Sequence, residues 1–135
     1  ARKRELATCN LTNLTKRYAG DSVDSIERLI VDTDSSIYIG GNSFSTGSAG
    51  KQDCLIIKLS SSFTQQWGKF YGGSEEDATG DIAVSTNGIY VAGYTQTPSM
   101  TNGDRDIFIL KLSKTDGSKG YSKLFGSISY EYSVA

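Results

Sequence analysis

The chain repeats itself, and that constrains its fold more than any single residue does. Tyr18-Ala-Gly20, Asp24 and Leu29-Ile-Val31 recur as Tyr71-Gly-Gly73, Asp77 and Ile82-Ala-Val84, an offset of 53 residues. Ile37-Tyr-Ile-Gly-Gly41 recurs as Ile89-Tyr-Val-Ala-Gly93 with one residue fewer in the turn before it, and Asp53-Cys-Leu-Ile-Ile-Lys-Leu-Ser60 recurs as Asp106-Ile-Phe-Ile-Leu-Lys-Leu-Ser113. Lys123-Leu-Phe-Gly126 then matches Lys69-Phe-Tyr-Gly72, and Leu14 to Tyr18 reads as the tail of a copy before the first. A fixed period of this kind signals a solenoid, propeller or array, in which each unit buries its apolar face only against a neighbour.

Each period holds four short runs with strand chemistry. In the first they are Ile26–Val31, Ser36–Gly41, Cys54–Leu59 and Gln66–Tyr71; in the second, Asp81–Val84, Ile89–Tyr94, Ile107–Leu112 and Tyr121–Phe125. All are rich in Ile, Val, Tyr and Phe and are separated by clusters of Gly, Asn, Asp and Ser, which predicts an antiparallel all-β protein. No segment sustains the 3.6-residue apolar period of a helix. Asn87-Gly88 predicts a tight type I′ hairpin, because that turn needs positive φ at both central residues, and Asp116-Gly117 is expected to play the same part between Leu112 and Tyr121. The expected division is an N-terminal segment with the last strand of a preceding unit (1–17), a first repeat (18–71), a second repeat (72–126) and the start of a third (127–135).

The order aromatic-Gly-Gly, Asp, short apolar strand, Gly-Ile-Tyr-Val-Ala-Gly-Tyr-Thr, then Asp-x-Phe-x-x-Lys-Leu resembles the seven-bladed (SBBP-type) β-propeller repeat family. The likeness runs from Tyr18 to Gly126 and is closer in the second unit, because Asp34-Ser-Ser36 replaces the Asn-Gly corner in the first. It implies tandem four-stranded blades and a cell-surface or secreted location. It implies no single activity, since function belongs to sites and not to folds. A propeller closes with about four to eight blades, and roughly two and a half are visible here. The expectation is therefore a window from a longer repeat protein, or a protomer that completes its sheets with neighbouring copies.

A net charge of −1 argues against nucleic acid, which calls for a basic stripe. No apolar run is long enough to span a bilayer as a helix, and no signal peptide is visible within the sequence. Asn10-Leu-Thr12 and Asn13-Leu-Thr15 are paired sequons, acceptors for N-glycans in a secretory pathway. Cys9 and Cys54 are the only cysteines. Cys54 stands in a strand as a small buried apolar residue with a free thiol, or it forms a disulfide with Cys9 in an oxidising compartment.

Asp32-Thr-Asp34-Ser-Ser36 has the alternating oxygens of a calcium loop but lacks the glycine and glutamate of an EF-hand, so a polar turn is the expectation. Asp24 and Asp77, with Gly73, Asn87 and Gly88, are expected as structural turn residues, the two aspartates accepting hydrogen bonds from turn amides. Phe44 to Gly50 and Thr95 to Gly103 read as mobile surface loops, the usual carriers of binding function. Trp67, Tyr71, Tyr94 and Tyr121 are candidate partner-contact aromatics, with core packing as their default role.

For catalysis the chain has no histidine, hence no triad or Cys-His pair. A glycosidase-like carboxylate pair drawn from Asp24, Asp77, Asp104 and Asp106 falls on repeat-equivalent turn positions, as scaffold residues do. The reading is a noncatalytic structural or assembly repeat segment of an extracellular or cell-surface glycoprotein, a fibre or sheath subunit, needing no cofactor and no metal. Its expected partners are further copies of itself or the rest of a longer repeat chain, with glycans as another class. The alternative is a propeller binding module that presents loops to a glycan or a protein.

Overall fold

The computed structural model describes residues 22–45, 51–97 and 105–126. Eight strands run in chain order: β1 (Asp24–Val31), β2 (Ile37–Ser43), β3 (Asp53–Leu59), β4 (Gln65–Tyr71), β5 (Asp77–Ser85), β6 (Gly88–Thr95), β7 (Asp106–Leu112) and β8 (Lys119–Phe125). They form two four-stranded antiparallel meanders, β1-β2-β3-β4 and β5-β6-β7-β8. The protein is all-β, with its sheets in tandem, and the sheets coincide with the two sequence repeats.

The likeness of the sheets extends to their irregularities. In both, the first strand pair slips register at the same place, around Glu27 in β1 and around Gly80 in β5. In both, the last pair slips next to the shared Lys-Leu step, at Lys58/Leu59 and Lys111/Leu112. A bulge re-aims its strand and sharpens the local twist. Gly41 and Gly93 sit beside these bulges, where a Cβ would run into the carbonyl oxygens of Ser25 and Ala78.

Turn chemistry differs from expectation at both of these corners. Ser85 pairs with Gly88 across a two-residue turn whose central residues are Thr86 and Asn87, and Asn87 is not among the residues with positive φ. The turn is therefore not type I′ with Asn87-Gly88 at its centre. Gly88 instead opens β6 at φ 150°, where a Cβ would lie 2.7 Å from the Leu112 carbonyl oxygen. The Ser85 hydroxyl accepts from the Asn87 amide at 3.1 Å, a local serine turn that competes with the type I′ geometry. The Asp116-Gly117 corner forms, but within a longer connection and not as a type I′ turn: Gly117 is left-handed at φ 72° with its amide donating to the Ser113 carbonyl, whereas Asp116 is not among the residues with positive φ. Ser35 and Phe63 hold the corresponding left-handed positions in the β1–β2 and β3–β4 turns.

The sheets stack face to face, β5 lying across β1, β2 and β3. The main core is this seam: Tyr38, Cys54 and Ile56 from the first sheet meet Ile82, Ile89, Val91, Phe108, Leu110 and Leu112 from the second. A separate cluster, Ile37, Ile39, Ile57 and Leu59, occupies the opposite face of the first sheet. Period-2 alternation explains the division, since residues opposite each other in an antiparallel ladder share a face.

Candidate functional site

The seam is polar at its rim as well as apolar at its centre. Gly40 leaves room for Ile82: a Cβ at Gly40 would stand 2.6 Å from Ile82 Cγ2. Asn42 accepts from the Thr79 amide at 2.7 Å, and the Thr79 hydroxyl donates to the Gly41 carbonyl at 2.9 Å. These bonds satisfy the backbone at the β5 bulge through the other sheet. At one end of the seam the β7–β8 turn folds over the first sheet, so that Lys58 Nζ (2.9 Å) and Trp67 Nε1 (3.2 Å) donate to the Lys114 carbonyl and the Tyr71 hydroxyl donates to the Gly117 carbonyl. Lys114 Nζ pairs with Asp32 and donates to the Ser85 carbonyl at 3.0 Å. Its ammonium is the main reason that the Asp32 carboxyl lies below its ordinary range, followed by the Thr33 amide.

Trp67 and Tyr71, two of the candidate partner-contact residues, are therefore engaged inside the chain. Both are half-buried against the seam core. The cause is the approach of the Gly117 turn, where a Cβ would stand 2.7 Å from the Trp67 ring. Tyr94 is half-buried too: the Arg105 guanidinium lies 3.8 Å from its ring centroid and its hydroxyl donates to Glu76. Burial, then the Glu76 carboxylate, pushes its pKa up to about 12. Tyr121 alone of the four is well exposed, at 60%.

The turn aspartates take structural roles in both repeats. Asp77 accepts from the Gly73 amide at 2.7 Å and the Thr97 hydroxyl at 3.2 Å, and Asp24 accepts from the Ser43 and Ser45 hydroxyls. Thr95 and Thr97, expected at the start of a surface loop, are buried. Asp77 draws Thr97 inward and the β6 ladder reaches Thr95. Asp53 and Asp77 converge on Gly72, where a Cβ would lie 2.5 and 2.8 Å from their oxygens. In the polar turn, Asp32 and Asp34 accept from the Thr33 and Ser36 amides. Cys54 is a free thiol, fully buried, and burial pushes its pKa up to about 12, so it stays neutral and inert. Cys9, Asn10, Asn13 and Asp104 lie outside the described residues.

The seam face has a second copy. Carried along the repeat, Tyr38, Gly40, Asn42, Cys54, Ile56, Lys58, Trp67 and Tyr71 become Tyr90, Ala92, Tyr94, Ile107, Ile109, Lys111, Tyr121 and Phe125 on the far face of the second sheet. Lys58 sits 5.6 Å over the Tyr38 ring, and Lys111 sits 5.8 Å over the Tyr90 ring. Here the apolar residues are open: Tyr90 is 36%, Ile109 39% and Phe125 45% exposed. Exposed apolar residues gathered on one face make it a candidate interaction surface. Tyr94 and Tyr121 of this face are among the aromatics that the sequence offers for partner contact; Tyr90 and Ile109 are not, and the signal for them is the repeat match of Tyr38 to Tyr90 and of Ile56-Ile-Lys58 to Ile109-Leu-Lys111.

A cleft of about 430 Å³ opens between β4 and β7–β8, lined by Phe70, Tyr71, Phe108, Leu110, Ser122 and Leu124. Its volume falls in the range of small-molecule sites. Compared with family models and with curated proteins, the chain matches neither.

Proposed function

We propose that this chain is a noncatalytic assembly segment, a run of stacked propeller-type blades from an extracellular or cell-surface glycoprotein of fibre or sheath type. The observation that carries the reading is the duplicated seam face. The first sheet's copy is covered by the second sheet, and the second sheet's copy keeps the same aromatic, aliphatic and lysine pattern while open to solvent. A unit whose one face receives the next is the building principle of a repeat array. Asp24 and Asp77, two of the four candidate carboxylates, hold repeat-equivalent places at the starts of β1 and β5 with hydroxyl and amide partners, which supports scaffold roles for them. The sequons at Asn10 and Asn13 support a secretory route.

The test is intact mass and sedimentation of the native material, before and after deglycosylation. Sugar at Asn10 or Asn13, on a chain held in a larger assembly or a longer repeat polypeptide, is the expected result. A bare, monodisperse monomer that binds a soluble oligosaccharide would replace this reading with the binding-module one. That second reading is favoured by the cleft beside Phe70 and Tyr71, since aromatic faces suit sugar rings.

A further inference from the structure

We infer that the open face of the second sheet, centred on Tyr90, Ile109, Tyr121 and Phe125, receives a third four-stranded unit of this repeat whose first strand carries a side chain smaller than isoleucine at the place of Ile82. The inference rests on the stacking reading above and adds a size rule that the reading does not contain.

The occupant follows from continuity with the existing seam. Every apolar position of the covered face has an apolar or aromatic counterpart on the open one: Ile56 becomes Ile109, Cys54 becomes Ile107, Trp67 becomes Tyr121 and Tyr71 becomes Phe125. Lys111 lies over Tyr90 as Lys58 lies over Tyr38. Lys58 there donates to a carbonyl of the incoming β7–β8 turn, so Lys111 is poised for the same bond to the third unit.

The size rule follows from the one position where the faces differ in backbone clearance. In the seam, Gly40 faces Ile82, and a Cβ at Gly40 would lie 2.6 Å from Ile82 Cγ2, a branch fixed directly to the β-carbon that no distal rotation removes. On the open face that place is Ala92. A unit identical to the second sheet would bring its isoleucine against the alanine methyl at this contact. Tyr94 stands where Asn42 anchors the β5 backbone, and it is already held by Arg105 and Glu76. The face therefore selects a different unit and disfavours a plain copy.

The test supplies that unit covalently. A copy of residues 82–126 is appended to the full chain after Ala135, which preserves the spacing that sets Gly126 in the place of Gly72. In the copy, Tyr90→Phe and Tyr121→Phe leave the parent as the sole source of tyrosine at these two positions. One version keeps isoleucine at its first position and another carries Ile82→Ala. Nitration of parent Tyr90 and Tyr121 is followed by peptide mass spectrometry, with amide exchange reporting whether the appended strands are ordered. The expected result is at least about tenfold protection of both tyrosines by the alanine version, little by the isoleucine version, and recovery by the isoleucine version when the parent carries Ala92→Gly. Equal protection by both versions overturns the size rule and leaves stacking intact. Protection by the isoleucine version alone also overturns it. No protection in any arm, whether the appended strands are ordered or not, overturns the docking proposal and the stacking reading together.

Discussion

Tyr38 and Tyr90 hold the same place in two copies of one unit, yet Tyr38 is fully buried and Tyr90 is more than one-third exposed. The same holds for Ile56, at 0%, and Ile109, at 39%. The two sheets share topology and bulges, and their hairpin corners lie away from these mid-strand positions, so nothing within either sheet produces the contrast. What differs is the neighbour: β5 and its partners lie on one face, and no described strand lies on the other. The apolar pattern of a strand thus records the face that evolution expects to cover, and the cover itself comes from outside the unit. That is the physical sense in which repeat proteins are cooperative between neighbours and weak alone.

The contrast is broken most directly by truncating the same side chain on each face. Ile56→Ala removes a fully buried branched side chain from the seam and is expected to cost about 3 kcal/mol, the transfer loss plus the cavity left behind. Ile109→Ala removes atoms already in contact with water and is expected to cost less than about 1 kcal/mol. Urea unfolding of the two variants measures both. Equal losses would mean that the second face is covered in solution, and the comparison would fail.

A smaller effect sharpens the polar end of the seam. Lys114 reaches Asp32 and the Ser85 carbonyl across the sheets, and Lys114→Met is expected to cost about 1–2 kcal/mol at neutral pH, as for a partly shielded charged hydrogen bond. The folded-state pKa of Asp32 lies below its ordinary value. Its contribution is therefore complete above the unfolded value, near about 4, and is lost as pH falls through the lower folded value. Stability curves for the parent and Lys114→Met should be separated at pH 7 and converge in the acid limb. Curves that stay parallel to low pH would assign the loss to the lysine's packing and its carbonyl bond, and not to the carboxylate.

Much of this fold was legible in the sequence, and the reason is its redundancy. The eight strands fall within a few residues of the runs read from the two copies, because alternation and turn residues were stated twice. The largest displacement is β5, which starts at Asp77 and not at Asp81. There the strand continues through the bulge at Gly80, with Asn42 of the other sheet completing its hydrogen bonding, and no local pattern carries that information. The Asn87-Gly88 corner failed for a related reason, since Ser85 supplies a competing local bond. The open aromatic face was half legible. Tyr121 was singled out and is exposed, but Trp67 and Tyr71 were grouped with it, although their carbonyl partners come from a turn nearly fifty residues away. Aromatic identity states that a ring needs covering; which ring the chain itself covers depends on how units stack.

The finest probe of the contrast is a single oxygen. The Tyr38 hydroxyl is buried in the seam with no hydrogen-bond partner among the described residues, and burial, reinforced by Asp32 and Asp34, pushes its pKa up to about 12. Burying an unpaired hydroxyl costs about 1–3 kcal/mol, so Tyr38→Phe is expected to leave stability unchanged or raise it by up to about 1 kcal/mol, while the ring keeps its place beneath Lys58. Tyr90→Phe, on the open face, should shift stability by no more than about 0.5 kcal/mol in either direction, because water already serves its oxygen. The difference between the two variants isolates the dryness of the seam from the packing of the ring. A loss of more than about 1 kcal/mol for Tyr38→Phe would mean that water reaches the hydroxyl and bonds to it. The covered face would then be a wet interface, and the distinction between the two faces would be one of geometry more than of solvent.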